Sequence, residues 1–313
     1  MADKADNIVL VTGGAGFIGT YVCRALASHG FAIRVFDNFS TGKAANLEGI
    51  ELELIEGDIL DQTALKSAMQ GVDAVIHLAA HVSVAESVTH PEKFHETNVT
   101  GTHNVLYAAT KAKVRRFVLA SSASVYGSPT QMPVREVFEL LPPSPYASSK
   151  ACGEMMLKAF AESFDIETVS LRFFNVYGQG QDPNSPYSGV ISIFTDRAKA
   201  GKDLTIFGDG SQTRDFVAVE DVAEACVSAI RSDNVGKGEA INIGTGKAVS
   251  IRELAEQIQA ESLKNSTNWV EVITGPARAG DVQDSRAAVE LAEEKLTFTA
   301  KTTFDEGLAN LSH

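Results

Sequence analysis

The first half of the chain alternates short apolar runs with helix-like stretches, and this alternation constrains the fold more than any other feature. Runs such as "IVLVT" at 8–12 and "DAVIHLAA" at 73–80 show no regular alternation of apolar and polar residues. Such runs are typical of strands that are buried on both faces of a parallel sheet. Strands that are separated by helices form βαβ units. The sequence therefore predicts an α/β fold built on a doubly wound parallel sheet.

The same pattern predicts the remaining elements and two structural units. Further strands are expected at 32–37, 51–58, 115–122 and 167–178, with a helical stretch near 92–112. Helical patches are also expected near 189–200, 219–231, 250–261 and 303–311, with the strand-like runs "LTIFG" and "AINIG" between them. We expect a first domain over residues 1–177 and a smaller α/β lobe, mainly for the substrate, over 178–313. The chain is expected to return to the first domain near 215–245.

A glycine-rich turn, "VTGGAGFIG" at 11–19, follows the first predicted strand and opens a helix-like stretch. Gly13, Gly16 and Gly19 would let the backbone turn tightly and approach a pyrophosphate, whose charge a helix N-terminus stabilises. Three glycines alone are a weak signal, but the strand before them and the helix after them match the dinucleotide-binding pattern. We interpret the first domain as Rossmann-type; a glycine turn in an unrelated α/β protein is the alternative.

Two acidic residues at predicted strand ends fit the adenosine half of a dinucleotide. Asp37 follows the glycines at about the offset of the acid that binds the ribose hydroxyls, roughly 20 residues. A carboxylate there repels a 2′-phosphate, which favours NAD over NADP. Asp58 could reach the adenine amino group, or it could be an ordinary acidic residue of a turn. Ala79 and Ala80 are small enough to allow close approach of the cofactor.

Hydroxyl groups follow the predicted strand at 115–122, in "SSASVYG" at 121–127. Ligands of open α/β sheets bind beyond the carboxyl ends of the strands, so we expect Ser122 and Ser124 at the edge of the cofactor. Tyr146 follows a proline that is typical of a helix start. On that helix, Tyr146 and Lys150 would share one face.

The pair formed by Tyr146 and Lys150 suits acid–base chemistry. A tyrosine hydroxyl has a pKa of about 10 and is a poor base at neutral pH. A nearby ammonium and a positive nicotinamide ring would favour the phenolate and lower that pKa. The phenolate could take a proton from a sugar hydroxyl while hydride leaves the carbon, with Ser122 holding the same oxygen. We therefore expect Ser122, Tyr146 and Lys150 to be catalytic.

A second copy of the same spacing, Tyr107 and Lys111, tests how specific the pattern is. It lies inside the helical stretch "GTHNVLYAATKAK" and has no hydroxyl-rich strand end before it. We expect this second pair to be structural.

At this point the chain resembles the extended short-chain dehydrogenase/reductases, in the NAD-dependent nucleotide-sugar epimerase/dehydratase family. The matching pieces are "TGGAGFIG", "HLAA", "NVTGTHNVL", "SSASVYG", "PYASSK", "LRFFNVYG", "FGDGSQTRDFV" and "RAGD". The resemblance implies tightly bound NAD, a homodimer with a four-helix interface, and Ser122, Tyr146 and Lys150 as the catalytic set. It implies that Tyr146 and Lys150 also contact NAD. The other expected NAD contacts are Gly13, Gly16, Phe17, Ile18, Gly19, Asp37, Asn38, Ser40, Gly42, Asp58, Ile59, Leu78, Ala79, Ala80, Asn98 and Phe173.

The serine motif narrows the expected activity. Dehydratases and decarboxylases of the family carry an acid just before the Val-Tyr-Gly of this motif, whereas this chain has Ala123 and Ser124. Chemistry that needs one acid–base group remains, and the chain most resembles UDP-glucose 4-epimerases. The expected reaction is oxidation at C4 of a UDP-hexose to a 4-keto sugar, followed by hydride return to the opposite face. UDP-glucuronate 4-epimerase, another nucleotide-sugar oxidoreductase or dehydratase, and a non-catalytic NAD-binding regulator are the alternatives.

The resemblance also implies which residues bind the substrate. The expected contacts to the UDP-sugar come from Ser122, Ser124, Asn175, Tyr187, Val190, Arg214, Arg278, Asp281 and Ser285. Arg214 and Arg278 would grip the diphosphate, although a surface salt bridge is the alternative for each arginine. A bulky residue at position 285 narrows the sugar pocket in this family. Ser285 would leave room for an N-acetyl group, unless loop differences place it away from the sugar.

Charge and cysteine usage exclude several classes of function. The net charge of −13 and the pI near 5.0 argue against a nucleic-acid or membrane-surface binder. Three cysteines that lie far apart suggest neither disulfides nor a zinc site, and the short apolar run near residue 8 leads us to expect no signal peptide. No run approaches the roughly 20 apolar residues of a membrane span. We therefore expect a cytoplasmic enzyme. We also expect no metal site, since His77 and His81 do not share a helix face.

Overall fold

The computed structural model describes residues 7–181, 189–265, 270–277 and 282–311. Its strands are β1 Ile8–Thr12, β2 Ala32–Asp37, β3 Glu53–Glu56, β4 Val72–His77, β5 Arg116–Ser122, β6 Glu167–Phe173, β7 Asn175–Tyr177, β8 Leu204–Phe207, β9 Thr213–Arg214, β10 Phe216–Ala218, β11 Lys237–Ile243, β12 Val249–Ser250 and β13 Val272–Gly275. Its helices are α1 Phe17–Ser28, α2 Gln62–Ala68, α3 Val84–Thr89, α4 Pro91–Phe94, α5 Thr102–Lys111, α6 Pro145–Ser163, α7 Val190–Lys199, α8 Val219–Arg231, α9 Ile251–Asn265, α10 Glu290–Leu296 and α11 Phe304–Leu311.

Seven parallel strands form the central sheet, in the order β11-β6-β5-β4-β1-β2-β3. The chain starts in the middle at β1, winds to one edge at β3, and then crosses to β4 and winds towards β11. This confirms the predicted doubly wound, Rossmann-type sheet. The order reverses between β1 and β4, and ligands of open α/β sheets bind beside such a reversal.

Helices cover both faces of this sheet, which explains the unalternated apolar runs. Val9 and Val11 of β1 pack with α1 and α8 on one face, in a core that also contains Leu26. Leu10, between the two valines, points to the opposite face and packs in a second core with residues such as Leu106 of α5. Both faces of β1 are therefore dry, and the hydrophobic effect favours apolar residues at every position.

The segment 167–178, predicted as one strand, forms two strands in different sheets. β6 pairs with β5 and β11 in the central sheet, whereas β7 pairs with β10 in a separate two-stranded sheet. The chain leaves the central sheet at Phe174, whose backbone N–H donates to the Ile243 carbonyl at 3.0 Å. Its side chain packs with Val125 and Tyr126 beside the end of β5. The prediction of a single strand was wrong because this apolar run leaves one hydrophobic core and enters others. Phe173 packs in the core of the central sheet, whereas Tyr177 packs in the core of the smaller lobe.

The smaller lobe has a core of its own, formed by α7, α9, β8 and α11. Phe194, Ile206, Leu254 and Leu308 are among its buried residues. The four helical patches expected in this half of the chain correspond to α7, α8, α9 and α11. Helix α8 packs on α1, and β11 extends the central sheet, so both contribute to the layers around that sheet. The short helix α10 was not expected from the sequence.

Candidate active site

A cleft of about 550 Å³ lies beyond the carboxyl ends of the central strands. Its volume is within the roughly 300–1,000 Å³ that is typical of ligand sites. Seventeen of the predicted site residues line it together: Gly13, Gly16, Phe17, Ile18, Gly19, Asp37, Asn38, Ser40, Asp58, Ile59, Leu78, Ala79, Ala80, Ser122, Tyr146, Lys150 and Phe173. The glycine turn, the predicted acids and the predicted catalytic residues therefore face one cavity.

The glycine turn connects β1 to α1 at one end of the cleft. Gly13 has a φ of +71°, which favours glycine, and a Cβ there would lie 2.7 Å from the backbone N of Ala79. A Cβ on Gly19 would lie 2.3 Å from the Gly13 carbonyl oxygen. Both positions require glycine, because the turn packs directly on the strand end at Ala79 and on the first turn of α1.

Asp37 is buried at the end of β2, with its carboxylate fixed by two backbone donors. Oδ2 accepts a hydrogen bond from the N–H of Ala15 at 2.9 Å, and Oδ1 accepts one from Phe39 at 2.8 Å. The carboxylate is thus tied to the glycine turn and still lines the cleft. Its spare lone pairs can accept hydrogen bonds from a ligand hydroxyl.

Asn38 and Asp58 form a second polar pair in the same part of the cleft. Asn38 Nδ2 donates to Asp58 Oδ2 at 2.9 Å, while Asn38 Oδ1 accepts from the N–H of Ser40 at 3.0 Å. Asp58 Oδ1 accepts from the N–H of Leu60 at 2.9 Å. These contacts hold the ends of β2 and β3 together beside the cavity.

Two predicted cofactor residues, Gly42 and Asn98, are not among the residues that line the cleft. A Cβ on Gly42 would lie 2.7 Å from the Ala15 carbonyl carbon, so this glycine lets the loop after β2 pack on the glycine turn. Asn98 is 3% exposed. Its carboxamide donates to the His81 carbonyl at 2.9 Å and to Ser149 Oγ at 3.0 Å, and it accepts from the His81 N–H at 2.8 Å.

These contacts belong to a buried hydrogen-bond chain that joins the glycine turn to α6. His77, at the end of β4, has its Nδ1 2.7 Å from Thr12 Oγ1 and its Nε2 2.9 Å from Thr102 Oγ1. Thr102 Oγ1 also donates to the Asn98 carbonyl at 2.6 Å. From Asn98 the chain continues to Ser149, whose Oγ donates to the backbone carbonyl of Tyr146 at 2.7 Å. Residues 95–101 form a π-helical segment that places Asn98 in this chain.

Helix α6 presents the predicted catalytic pair. It begins at Pro145, as expected, and the side chain of Ser144 caps it by accepting from the Ala147 N–H at 3.2 Å. Lys150 is buried, and its Nζ donates to the Ala120 carbonyl of β5 at 2.8 Å. The same Nζ lies 6.0 Å from the ring centroid of Tyr146. Both residues therefore face the end of β5, where Ser122 lies.

Burial shifts the acid–base properties of both residues. It raises the pKa of the Tyr146 hydroxyl, and a hydrogen bond with Ser122 acts in the opposite direction. We expected Lys150 to lower this pKa, but burial prevails, because removal from water disfavours the phenolate. Burial also lowers the pKa of Lys150 to about 8, so its ammonium form still predominates at neutral pH. A phenolate of Tyr146 would thus be stabilised by Ser122 and by a nearby positive charge.

The second tyrosine–lysine pair lies elsewhere. Tyr107 is 43% exposed on α5, and Lys111 Nζ lies 4.9 Å from its ring centroid. Neither residue is among those that line the cleft. The two pairs share a spacing, but only Tyr146 and Lys150 lie at a strand end beside the cavity.

The predicted substrate residues are less concentrated. Among the described part of the chain, Ser124 Oγ is buried without a hydrogen-bond partner, whereas Asn175 is exposed on β7. Arg214 Nη1 donates to the carbonyls of Thr213 and Val282, at 2.7 Å each. Val190 is the first residue of α7. Three predicted residues lie outside the described residues: Tyr187, Arg278 and Asp281.

Ser285 lines a small pocket of about 20 Å³ next to the main cleft. Ala123, Tyr126 and Phe174 also line this pocket, and Phe174 lines the main cleft as well. Ser285 therefore lies in a pocket that shares Phe174 with the cavity lined by Ser122.

Several residues of the cleft were not singled out in the sequence. Lys43, Asn46, Thr97 and Gln181 line it. Asn46 Nδ2 donates to the Ala15 carbonyl at 2.9 Å, which fastens the loop after β2 to the glycine turn. The sequence signal for these residues was their proximity to a motif, as with Thr97 directly before "NVTGTHNVL". His81, which was considered in the sequence only as a metal ligand, also lines the cleft.

The described part of the chain contains no helix that is long and apolar enough to cross a membrane. Nor does it contain a group of three or more His, Cys, Asp or Glu side chains that could hold a metal ion.

Comparison with known proteins decides the family. The family model described as "NAD dependent epimerase/dehydratase family" matches residues 9–244. The chain belongs to this family. A UDP-glucose 4-epimerase of Mycolicibacterium smegmatis is 37% identical over 308 residues, which cover 96% of each chain.

Solved structures of the same family superpose over nearly the whole chain. The UDP-glucose 4-epimerase of Thermotoga maritima, solved with UDP-glucose, is 35% identical, has a TM-score of 0.90 and shares 97% coverage of both chains. The UDP-N-acetylglucosamine 4-epimerase of Methanobrevibacter ruminantium, solved with UDP-N-acetylmuramic acid, is also 35% identical. Its TM-score is 0.91, with coverage of 98% of this chain and 97% of that one.

The buried His77 generates a prediction for the pH dependence of stability. Burial, with Lys150 as a smaller contribution, lowers the pKa of His77 to about 3, whereas the unfolded chain protonates near its ordinary value of about 6.5. Stability contributed by neutral His77 is therefore lost as the pH falls from about 6.5 towards 3, at up to about 1.4 kcal/mol per pH unit. Replacing His77→Gln should lower the free energy of unfolding at neutral pH but flatten its decline in acid.

Urea unfolding at about pH 6.5 and about pH 5 measures this difference. The matched control is His90→Gln, because the His90 side chain is 60% exposed; this variant should keep the wild-type decline. An equally steep decline in His77→Gln would show that His77 does not stay neutral in the folded protein.

Proposed function

We propose that the chain is an NAD-dependent isomerase that interconverts the C4 epimers of UDP-hexoses. The observation that carries this proposal is the convergence of Ser122, Tyr146 and Lys150 on the cleft that also contains the glycine turn and Asp37. The cofactor end and the acid–base end share one cavity, as a redox step on a bound sugar requires. Family membership and the UDP-sugar 4-epimerases among the relatives support the same reaction.

The cleft fits NAD. Gly13, Gly16 and the start of α1 would hold the pyrophosphate, since backbone N–H groups there point towards an anion. Asp37 would accept hydrogen bonds from the adenosine ribose, and Asp58 would lie near the adenine. Two backbone donors would hold the Asp37 carboxylate where NADP would carry its extra phosphate. When bound, NAD supplies a two-electron acceptor and donor beside the sugar.

The chain's own residues would move the proton of the C4 hydroxyl. Tyr146, as phenolate, would accept this proton while C4 becomes a carbonyl, and would return it after the 4-keto sugar has turned over. Ser122 would hold the same oxygen, because it lies within hydrogen-bonding reach of Tyr146. Lys150 would stabilise the phenolate from a fixed position, since its Nζ is anchored on the Ala120 carbonyl.

The surroundings of Ser122 favour epimerisation over its alternatives. Ala123 and Ser124 supply no carboxylate for the second proton transfer that a dehydration needs. The buried carboxylate of Glu154 is engaged by Arg172. Lys43 and Lys150 are the lysines or arginines among the described residues that line the cleft. Lys150 Nζ is anchored on the Ala120 carbonyl, and Lys43 lies in the loop after β2 that packs on the glycine turn, at the other end of the cleft from Ser122. A neutral hexose is therefore favoured over UDP-glucuronate.

The UDP-sugar would extend from Ser122 towards the smaller lobe. Ser124 has a buried hydroxyl that a sugar oxygen could pair with. Asn175 and Arg214 would contact the diphosphate, and Val190 would contact the uracil. We propose the same kind of contacts for Tyr187, Arg278 and Asp281.

We also infer a homodimer and a cytoplasmic location. The dimer would pair α5 and α6 of two copies, and these helices expose the apolar surfaces of Tyr107 and Met155 at 43% and 64%. Phe164, directly after α6, is another apolar side chain of this region and is 42% exposed.

The cysteines support the cytoplasmic location. Those at 23, 152 and 226 are free thiols, as is usual in a reducing compartment.

Replacing Tyr146→Phe tests the proposed function directly. Loss of the hydroxyl removes the acid–base group, so kcat for the interconversion of UDP-galactose and UDP-glucose should fall by about 100-fold or more. The matched control is Tyr107→Phe, which alters the same pattern on α5 and should keep wild-type turnover. Proton NMR of the anomeric signals, with no reductant added, follows both sugars.

Equal losses in the two variants would contradict the assignment of Tyr146. Net NADH release during turnover would indicate a simple dehydrogenase. If the wild-type protein converted neither sugar, while Tyr146→Phe retained its biological role, a non-catalytic NAD-binding protein would be the better description.

The neighbourhood of Ser285 predicts the range of sugars. Ser285 lies in a pocket that shares Phe174 with the main cleft, and a serine there would leave more room than a bulky residue. The chain should therefore act on UDP-GlcNAc and UDP-GalNAc as well as on UDP-glucose and UDP-galactose. The substitution Ser285→Tyr should reduce kcat/KM for the N-acetylated sugars at least about tenfold more than for the hexoses. Competition between UDP-galactose and UDP-GalNAc in one NMR sample measures this ratio. A parallel loss of both activities would exclude a gate at Ser285.

A further inference from the structure

A buried ion pair lies behind the reacting end of the cleft. Arg172 of β6 and Glu154 of α6 have side chains that are 5% and 7% exposed, with Nη2 and Oε2 2.7 Å apart. Arg172 Nε also lies 3.0 Å and 3.2 Å from the two carboxylate oxygens. Burying such a pair removes two charges from water, so its net contribution to stability is small or negative. Its effect on neighbouring groups is therefore the more informative property.

Glu154 connects this pair to the proposed active site in two directions. It lies four residues after Lys150 on α6, so the two side chains share a helix face. It also accepts a hydrogen bond from the hydroxyl of Ser121, which lines the cleft directly before Ser122. The carboxylate thus joins the end of β5 to the turn of α6 that carries Lys150.

The groups around Lys150 leave Glu154 as its source of negative charge. On β5, the Ala120 carbonyl accepts a hydrogen bond from Nζ. On β4, His77 is neutral, since burial lowers its pKa to about 3. On α6, burial lowers the pKa of Lys150 to about 8, and Glu154 acts in the opposite direction. Of the described charged groups, the Glu154 carboxylate favours the ammonium form.

We propose that Glu154 is a positioning residue for Lys150, and that its negative charge keeps the buried Lys150 side chain in the ammonium form that the acid–base step needs. This inference rests on the proposed function of the site. It assigns the ion pair a role in tuning the reacting end, in addition to its contacts with β5 and β6.

Glu154 faces polar groups from several elements. Arg172 on β6 is a permanent cation, and Ser121 on β5 is a donor. Tyr126 stays neutral, because burial raises its pKa to about 12, and its hydroxyl accepts from Arg172 Nη1 at 2.7 Å. Glu136 is a further carboxylate in this neighbourhood: its side chain accepts from the Asn242 N–H at 3.0 Å, and its backbone carbonyl accepts from Arg172 Nη1 at 3.1 Å.

The variant Glu154→Gln keeps the shape of the side chain and removes its charge. Without that charge, and with Arg172 then uncompensated, Lys150 should lose its proton at a lower pH. The alkaline limb of the kcat/KM profile for UDP-galactose should move about one pH unit lower, which is the low end of the effect of a neighbouring opposite charge. Below the limb, at about pH 6, the variant should retain most of the wild-type activity.

Two further variants separate charge from structure. Glu154→Asp preserves the charge, so its limb should remain at the wild-type pH even if the protein is less stable. Glu167→Gln removes another carboxylate that pairs with a buried arginine. Glu167 of β6 pairs with Arg116 of β5, and neither residue lines the cleft. Its profile should be unchanged.

A direct titration of the Lys150 amine checks the kinetic result independently. Holoenzyme labelled with carbon-13 at lysine Cε, with Lys150→Arg used for assignment, gives the protonation curve of Lys150 independently of turnover. The midpoint in Glu154→Gln should move in the same direction as the kinetic limb. An unmoved midpoint and limb would overturn the role of Glu154 while leaving the epimerase proposal intact. Absence of epimerisation by the wild-type protein would instead contradict the proposed function.

Discussion

Parallel pairing of strands that are distant in sequence is the constraint on which the rest of the structure depends. β1 pairs with both β2 and β4, and β5 joins β4 to β6, so the carboxyl ends of five strands meet at one edge. That edge collects the glycine turn, Asp37 and Ser122 in one cavity, although they are spread over more than a hundred residues, and it places the buried His77 at the end of β4. Because both faces of the sheet are covered by helices, polar groups at this edge are shielded from water.

Removal from water determines the chemistry of this edge. Burial raises the pKa of Tyr146, lowers the pKa of Lys150 to about 8 and keeps His77 neutral. Each shift works against the charged form, so charge is retained only where the protein supplies a partner. Ser122 is such a partner for Tyr146, and Glu154 for Lys150. In the buried site, a single carboxylate one helical turn away can therefore decide a protonation state.

The sequence predicted the parts of the site that depend on local geometry. The strand–glycine–helix pattern, Asp37 at a strand end and a tyrosine–lysine pair after a proline all describe contacts within a few residues. It did not predict the partners of His77, which lie 65 and 25 residues away, or the ion pair of Glu154 with a strand residue. These partners are set by strand order and helix packing. The break at Phe174 was missed for a similar reason, since an apolar run does not show which core it enters.

The most direct test of the account follows the C4 hydrogen. UDP-galactose would be converted by the holoenzyme in deuterium oxide, and deuterium at each carbon of the product sugar would be measured by NMR and mass spectrometry. If C4 is oxidised and reduced in one closed cleft, UDP-glucose should form without deuterium at any sugar carbon, because only the hydroxyl proton on Tyr146 exchanges with solvent. Deuterium at C4 of the product would show that the C4 hydrogen leaves as a proton and not as hydride, and would contradict the account.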